Sequence, residues 1–242
     1  MKKKIKNFQR RYHFASNLVL GVLVLSVGAL CLAPVEQTAY TSGDQTKIYR
    51  NAETGDGVSL MFNVYWGTDE VYRILDILEK RSAKATFFIG GSWADDNIDC
   101  IKTIVEKGHE LGNHGYFHKD HDKLDYLQNK KEIESCNQFL AISVGVTPTL
   151  FAPPSGAYNS NTLSAVSELS MKTVLWSKDT IDWRDKNASI IYKRATNNIK
   201  KGDFILMHPM MATADALEDI FIYYEKQNLP VITVSENLKE KG

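Results

Sequence analysis

The sequence predicts an α/β domain built on a mainly parallel sheet, and three observations lead there. From Gly57 onward, short apolar runs of strand character alternate with segments of helical spacing. Several runs end at turn residues, with Gly90-Gly91, Gly108 and Pro153-Pro154 as examples. The polar residues with chemical potential, His114, His118, Asp182 and His208, all fall where a strand run gives way to a loop. Functional side chains collect at such strand ends in a closed β/α barrel, so the third observation favours a barrel over an open sheet.

The elements follow in order. Val58 to Val64 is a strand, and Asp69 to Lys80 a helix with Val71, Ile74, Leu75 and Leu78 on one face. Ala85 to Ile89 is a short strand, Trp93 to Glu106 a helix stopped by Gly108, and His109 to Asn113 a strand. Asn129 to Val144 reads as a helix; Leu150 to Ala152, Met171 to Leu175 and Phe204 to Met207 read as strands. Ala214 to Lys226 is a helix carrying Leu217, Ile220, Phe221 and Tyr224 on one face, and Val231 to Val234 a closing strand.

The 242 residues carry 29 basic and 29 acidic side chains, with 43% hydrophobic and 24% charged content, ordinary for a folded domain. Zero net charge gives no support for a nucleic-acid partner, which would favour a basic stripe, so none is expected. Lys2, Lys3, Lys4, Lys6, Arg10 and Arg11 precede an uncharged apolar run from Leu18 to Ala33. That order is the one of a signal peptide or signal anchor. Extended back to Phe14, the run reaches about 20 residues, enough to span a bilayer. The flanking positive charges place the N-terminus in the cytoplasm and the domain outside, as a single-pass cell-membrane protein. Residues 1–35 are therefore expected to be a basic stretch plus transmembrane helix, 36–56 a polar stalk, and 57–242 the globular domain. Cys31 lies in the apolar run, which leaves Cys100 and Cys136 as the one pair free to bridge or stay reduced.

Four places could carry chemistry. His114 and His118, four apart, lie on one face if that segment makes a helical turn, where both imidazoles reach one metal ion. On spacing alone they are equally readable as surface histidines. Asp120, His121 and Asp122 follow as further ligands or as a polar loop. Asp179-Thr-Ile-Asp182-Trp183 is either a site with a carboxylate and an apolar wall, or a helix N-cap beside a packed indole. His208 closes an apolar strand, as a general acid or as a core histidine. Phe151-Ala-Pro-Pro-Ser-Gly156 ends another strand in a rigid turn.

Together, in this order, they resemble the NodB-homology domain of the polysaccharide deacetylases (carbohydrate esterase family 4). The HxxxH of His114 and His118 is similar to that family's metal-binding motif. Asp179 to Trp183 matches its D(S/T)xDW, and Ile205-Leu-Met-His208 its closing histidine strand. Thr86 to Ile89 and Gly108 to His114 look like its second and third strands. The resemblance implies a distorted (β/α)7 barrel of the polysaccharide deacetylase type after the N-terminal transmembrane helix. It implies a divalent metal ion, zinc first with cobalt or manganese as alternatives, held by His114 and His118. It makes His208 the general acid, oriented by Asp182, and places Trp183, Asn63, Tyr158, Pro154 and Asp179 around the substrate. The implied reaction is hydrolysis of N-acetyl groups on a cell-wall glycan, peptidoglycan or chitin-like.

The first motif departs from that pattern. The family carries two adjacent aspartates, base then metal ligand, where this chain has Asn63 and Val64. The arginine that pairs with the base is replaced by Ala152. Losing both partners leaves no orphaned buried charge. The expectation is a metal-dependent deacetylase, with a catalytically silent glycan-binding relative as the alternative. Tyr65, Trp66, Trp93, Tyr116 and Trp183 are candidates for stacking on sugar rings.

Overall fold

The computed structural model describes residues 47–239. The expected transmembrane run falls outside them, and among the described residues no helix is long and apolar enough to cross a membrane. Eight parallel strands form one curled sheet: β1 (Ile48–Tyr49), β2 (Ser59–Val64), β3 (Thr86–Ile89), β4 (Glu110–Asn113), β5 (Leu150–Phe151), β6 (Lys172–Val174), β7 (Lys178–Asp179) and β8 (Phe204–Met207). Their order is β1-β6-β5-β4-β3-β2-β8-β7, so the sheet stays open between β1 and β7. The seven-stranded barrel expected from the resemblance is therefore an eight-stranded, incompletely closed one.

The helices are α1 (Thr68–Lys80), α2 (Gly91–Asp95), α3 (Ile98–Glu106), α4 (Tyr126–Val144), α5 (Ser160–Glu168), α6 (Asp182–Asp185), α7 (Ala188–Thr196), α8 (Met211–Lys226) and α9 (Val234–Asn237), and the longer ones cover the outside of the sheet. Alternation along β2 shows why the sequence folds this way. Leu60, Phe62 and Val64 join the large cluster under the helices, while Met61 packs inside with Phe88, Ala152, Val174 and Phe204. Both faces of the strand are buried, which is why it reads as a near-continuous apolar run.

The barrel is plugged at its lower end by α9. Val234 and Leu238 pack into the interior cluster. Ser59 Oγ donates to Thr233 O, Thr86 Oγ1 accepts from Val234 N, and Asn237 Nδ2 donates to Gly57 O. The upper end, where strands end and βα loops begin, is left for function. Residues 47–239 belong to one compact unit.

Some boundaries differ from expectation. The folded unit begins within the expected stalk: Ile48 and Tyr49 pair with β6, and Ala52 N donates to Gly202 O. Val231 makes one isolated bridge to Val58, and Val234 opens a helix rather than closing a strand. The capping box of Thr233 with Glu236 decides this, because it satisfies helix N–H groups that a strand would spend on a neighbour. The helix expected over Trp93 to Glu106 is broken at Asn97 into α2 and α3. Cys100 and Cys136 are buried and free.

His109 sits at the foot of β4 with its ring buried against Phe87. Its Nδ1 accepts from Ala85 N at 3.3 Å. Burial, reinforced by the charges of Lys84 and Lys107, pushes its pKa down from 6.5 to about 4. The folded protein thus holds His109 neutral where the unfolded chain would take a proton. Its contribution is complete above about pH 6.5 and is lost as pH falls through about 4. Urea unfolding between pH 7 and 4 should show stability falling with pH. His109→Gln should flatten that slope, leaving a remainder from His114 and His121, which burial shifts in the same direction.

Candidate active site

Asp182 organises the upper end of the barrel. It opens α6 directly after Ile181, which takes left-handed backbone at φ 50°. That turn drives the carboxylate inward, where it is fully buried. Oδ2 accepts from His208 N at 2.6 Å and Thr213 Oγ1 at 2.7 Å; Oδ1 accepts from His208 Nδ1 at 2.7 Å and Trp183 N at 2.8 Å. With Nδ1–H donating, His208 turns Nε2 away from Asp182. A carboxylate so placed holds one imidazole tautomer, the arrangement that the resemblance implies for this pair.

Asp179 instead accepts from Ile181 N at 2.8 Å and shapes the turn that delivers Asp182. Trp183 follows Asp182 directly and is half exposed at 51%, an apolar surface on α6. Pro154 is buried and Tyr158 half-buried on the loop after β5.

The two histidines of the HxxxH are brought together, with ring centroids 5.1 Å apart. The device is not the expected helical turn. His114 continues β4, Gly115 takes φ 73° and His118 φ 53°, so a loop folds the second ring back over the first. His114 Nδ1 donates to Ala152 O at 2.7 Å, leaving Nε2 free. Burial lowers the pKa of both rings, most strongly for His114, which keeps them neutral.

The loop hangs from α4. Glu132, nearly buried, accepts from Phe117 N at 2.8 Å and pairs with Lys119 at 2.9 Å, while His121 Nδ1 donates to Asn129 Oδ1. Glu132, Asn129 and Thr213 were not anticipated. A lone carboxylate among the buried positions Asn129, Ile133, Cys136 and Leu140 of α4 was the available signal for the first; Thr213, 31 residues from its partner, left none.

The residues do not complete a metal site. Three protein ligands hold a catalytic zinc in known arrangements, and among the described residues no group of three His, Cys, Asp or Glu is so placed. Val64 lies in the cluster under the helices, directed away from the interior. Asp120 is held at the surface by Lys123 at 2.5 Å, and His121 is engaged with Asn129. The expected metal therefore has two imidazoles and no carboxylate.

Asn63 occupies the interior face at the end of β2. Its strand neighbours are Phe88 and, through it, Gly112; the pairing of Phe62 with Met207, continued by one residue, sets Asn63 beside His208. Tyr65 packs on His118 with centroids 4.7 Å apart, and Trp66 stacks on His208 at 5.5 Å and 6° between planes.

The chain is thus a curled parallel β/α barrel with a buried carboxylate–histidine pair and a histidine couple at its mouth. The polysaccharide deacetylase profile matches residues 50–174, and the chain belongs to that family. It is 36% identical over 193 residues to the Bacillus subtilis protein YlxY, covering 80% of this chain and 60% of YlxY. A Bacillus cereus peptidoglycan-N-acetylglucosamine deacetylase is 33% identical, covering 72% of this chain and 85% of that enzyme. Among solved structures, wild-type BA3943 of Bacillus anthracis, described as a family pseudoenzyme, superposes with a TM-score of 0.78 at 31% identity, covering 81% of this chain and 70% of that one. A BA3943 mutant described as having restored enzymatic activity gives the same TM-score at 29% identity, covering 81% and 72%.

Asp182→Ala would leave the donors of His208, Thr213 and Trp183 without their acceptor. The expected cost is about 3 kcal/mol by urea unfolding, from several lost bonds to a charged group. Asp182→Asn should cost less, because its carboxamide oxygen still accepts.

Proposed function

We propose that this protein binds N-acetylated cell-wall glycan in the cleft of a polysaccharide deacetylase barrel and holds it without hydrolysing it. The observation that carries the reading is the coherent loss of hydrolytic charge. Asn63 has no useful basicity, Val64 faces the helix layer, and Ala152 replaces the arginine of the family's third motif. Residues suited to hold a sugar support the reading as well: half-exposed Trp183, Tyr158 and Pro154 on the loop after β5, and the locked Asp182–His208 pair. The fold relation to a pseudoenzyme supports the same reading.

A second reading is metal-dependent removal of N-acetyl groups, favoured by the intact Asp182–His208 pair. In it His208, oriented by Asp182, gives its Nε2 proton to the leaving amine. A metal at His114 and His118 would supply polarisation of the acetamide carbonyl and an activated water. Two neutral imidazoles make a weak hold for it, so this reading stands second.

Peptidoglycan is the proposed glycan, from the named activities of the relatives. The place is the outer side of a cell membrane, with the apolar run from Leu18 to Ala33 as anchor; the basic flank supports that orientation. The fragment from Ser42 should bind N-acetylglucosamine oligomers in calorimetric titration, with affinity unchanged within twofold by chelator or by added zinc, cobalt or manganese. Trp183→Ala should weaken binding about tenfold, as expected for loss of an aromatic anchor. Binding that requires a metal, or an absence of binding, would remove this reading.

A further inference from the structure

The segment from Asn63 to Trp66, where the family's acidic pair would stand, carries two features of its own. The first is an unsatisfied atom. Asn63 is 3% exposed, and its buried Oδ1 has no hydrogen-bond partner. A buried carbonyl oxygen left without a donor destabilises a fold, and such atoms concentrate at functional sites. Asn63 sits on the interior face between the strand that ends at His208 and the strands leading to His114, at the open end of the barrel. Oδ1 is closed off as the side chain stands; turning the carboxamide about its last bond brings it to the open end, where a ligand is the partner its position offers.

The second feature is a fixed aromatic plane. Trp66 is 40% exposed, yet its ring has little freedom. One face lies on His208, and Nε1–H donates to Met210 Sδ at 3.3 Å. The next residue, Gly67, has φ 79°, and a Cβ there would lie 2.3 Å from Pro209 O, which pins the turn against the strand-end loop. An indole held in place before binding loses little entropy when a ring stacks on it.

A polar acceptor and a flat apolar plane three residues apart match the two sides of an N-acetylated pyranose. The acetamido N–H is a donor, and the axial C–H face of the ring is apolar. Asn63 accepts without charge, so it needs no arginine, in agreement with Ala152. We infer that the segment Asn63–Trp66 is the recognition element for an N-acetylated pyranose, with Asn63 Oδ1 accepting from the acetamido N–H and Trp66 carrying the sugar's apolar face. This rests on the glycan-binding reading and adds to it the choice of acetylated over free-amine sugar.

The test uses the fragment from Ser42 and two probes, the tetramer of N-acetylglucosamine and the tetramer of glucosamine. Affinity is read by titration and stability by thermal unfolding. The wild type should prefer the acetylated tetramer. Asn63→Leu, nearly the same shape, should lose about tenfold in affinity for it and lose the preference, as expected for one hydrogen bond. Its Tm should be unchanged or higher by roughly 2–8 °C, because the orphaned oxygen is gone. Trp66→Ala should weaken binding of both tetramers. A purely structural asparagine would not show lost binding together with kept or raised stability. If Asn63→Leu keeps the preference, or its Tm falls, the inference is overturned while the glycan-binding reading stands. If the wild type binds neither tetramer, both are overturned.

Discussion

Everything at the mouth of this barrel hangs on one buried carboxylate. Asp182 accepts four hydrogen bonds that tie the end of β8, the start of α6 and the first turn of α8 to a single point. A carboxylate stripped of water is tolerated only when its lone pairs are filled, and here they are. The same bonds fix the tautomer of His208, and His208 in turn supplies the surface on which Trp66 lies. Removing Asp182 would loosen the loop, the imidazole and the aromatic plane together.

The opposite side of the mouth follows a contrary logic. Position 63 is neutral, position 64 is apolar and turned outward, and position 152 is an alanine inside the barrel. A charged residue at any one of these alone would need a partner that the other two no longer offer. The set is therefore self-consistent as an uncharged pocket. His114 and His118, neutral through burial, belong to the same pocket, and backbone contacts together with Glu132 place them. The site has acceptors and aromatic planes in place, and among the described residues no group of three His, Cys, Asp or Glu stands ready for a metal.

Much of this was legible in the sequence. Alternation and helical spacing located β2, α1, β3, α4 and α8 to within a few residues, because buried faces dictate those patterns. The motif order gave His114, His118, Asp182 and His208, and all four meet at one end of the sheet. What escaped was local backbone chemistry. The two-residue strand at Ile48 is too short for a pattern. Thr233 with Glu236, and Asp125 with Gln128, are capping pairs that mark helix starts, and apolar periodicity alone passed over both. The HxxxH was expected on a helix because four-residue spacing suits one, but Gly115 and the positive φ of His118 make a loop do the same work. Contacts such as Thr213 with Asp182, or Trp66 with His208, depend on which strands become neighbours, and spacing along the chain carries no trace of that.

The central claim is that the cleft recognises an acetylated glycan and leaves it intact. The direct measurement is a single-turnover one: excess protein is incubated with an N-acetylated peptidoglycan fragment and zinc, and the bound sugar is then recovered and weighed by mass spectrometry. The expected result is a ligand of unchanged mass, retained by the wild type. A ligand that has lost an acetyl group, with the loss abolished by His208→Ala, would contradict the claim and establish hydrolysis.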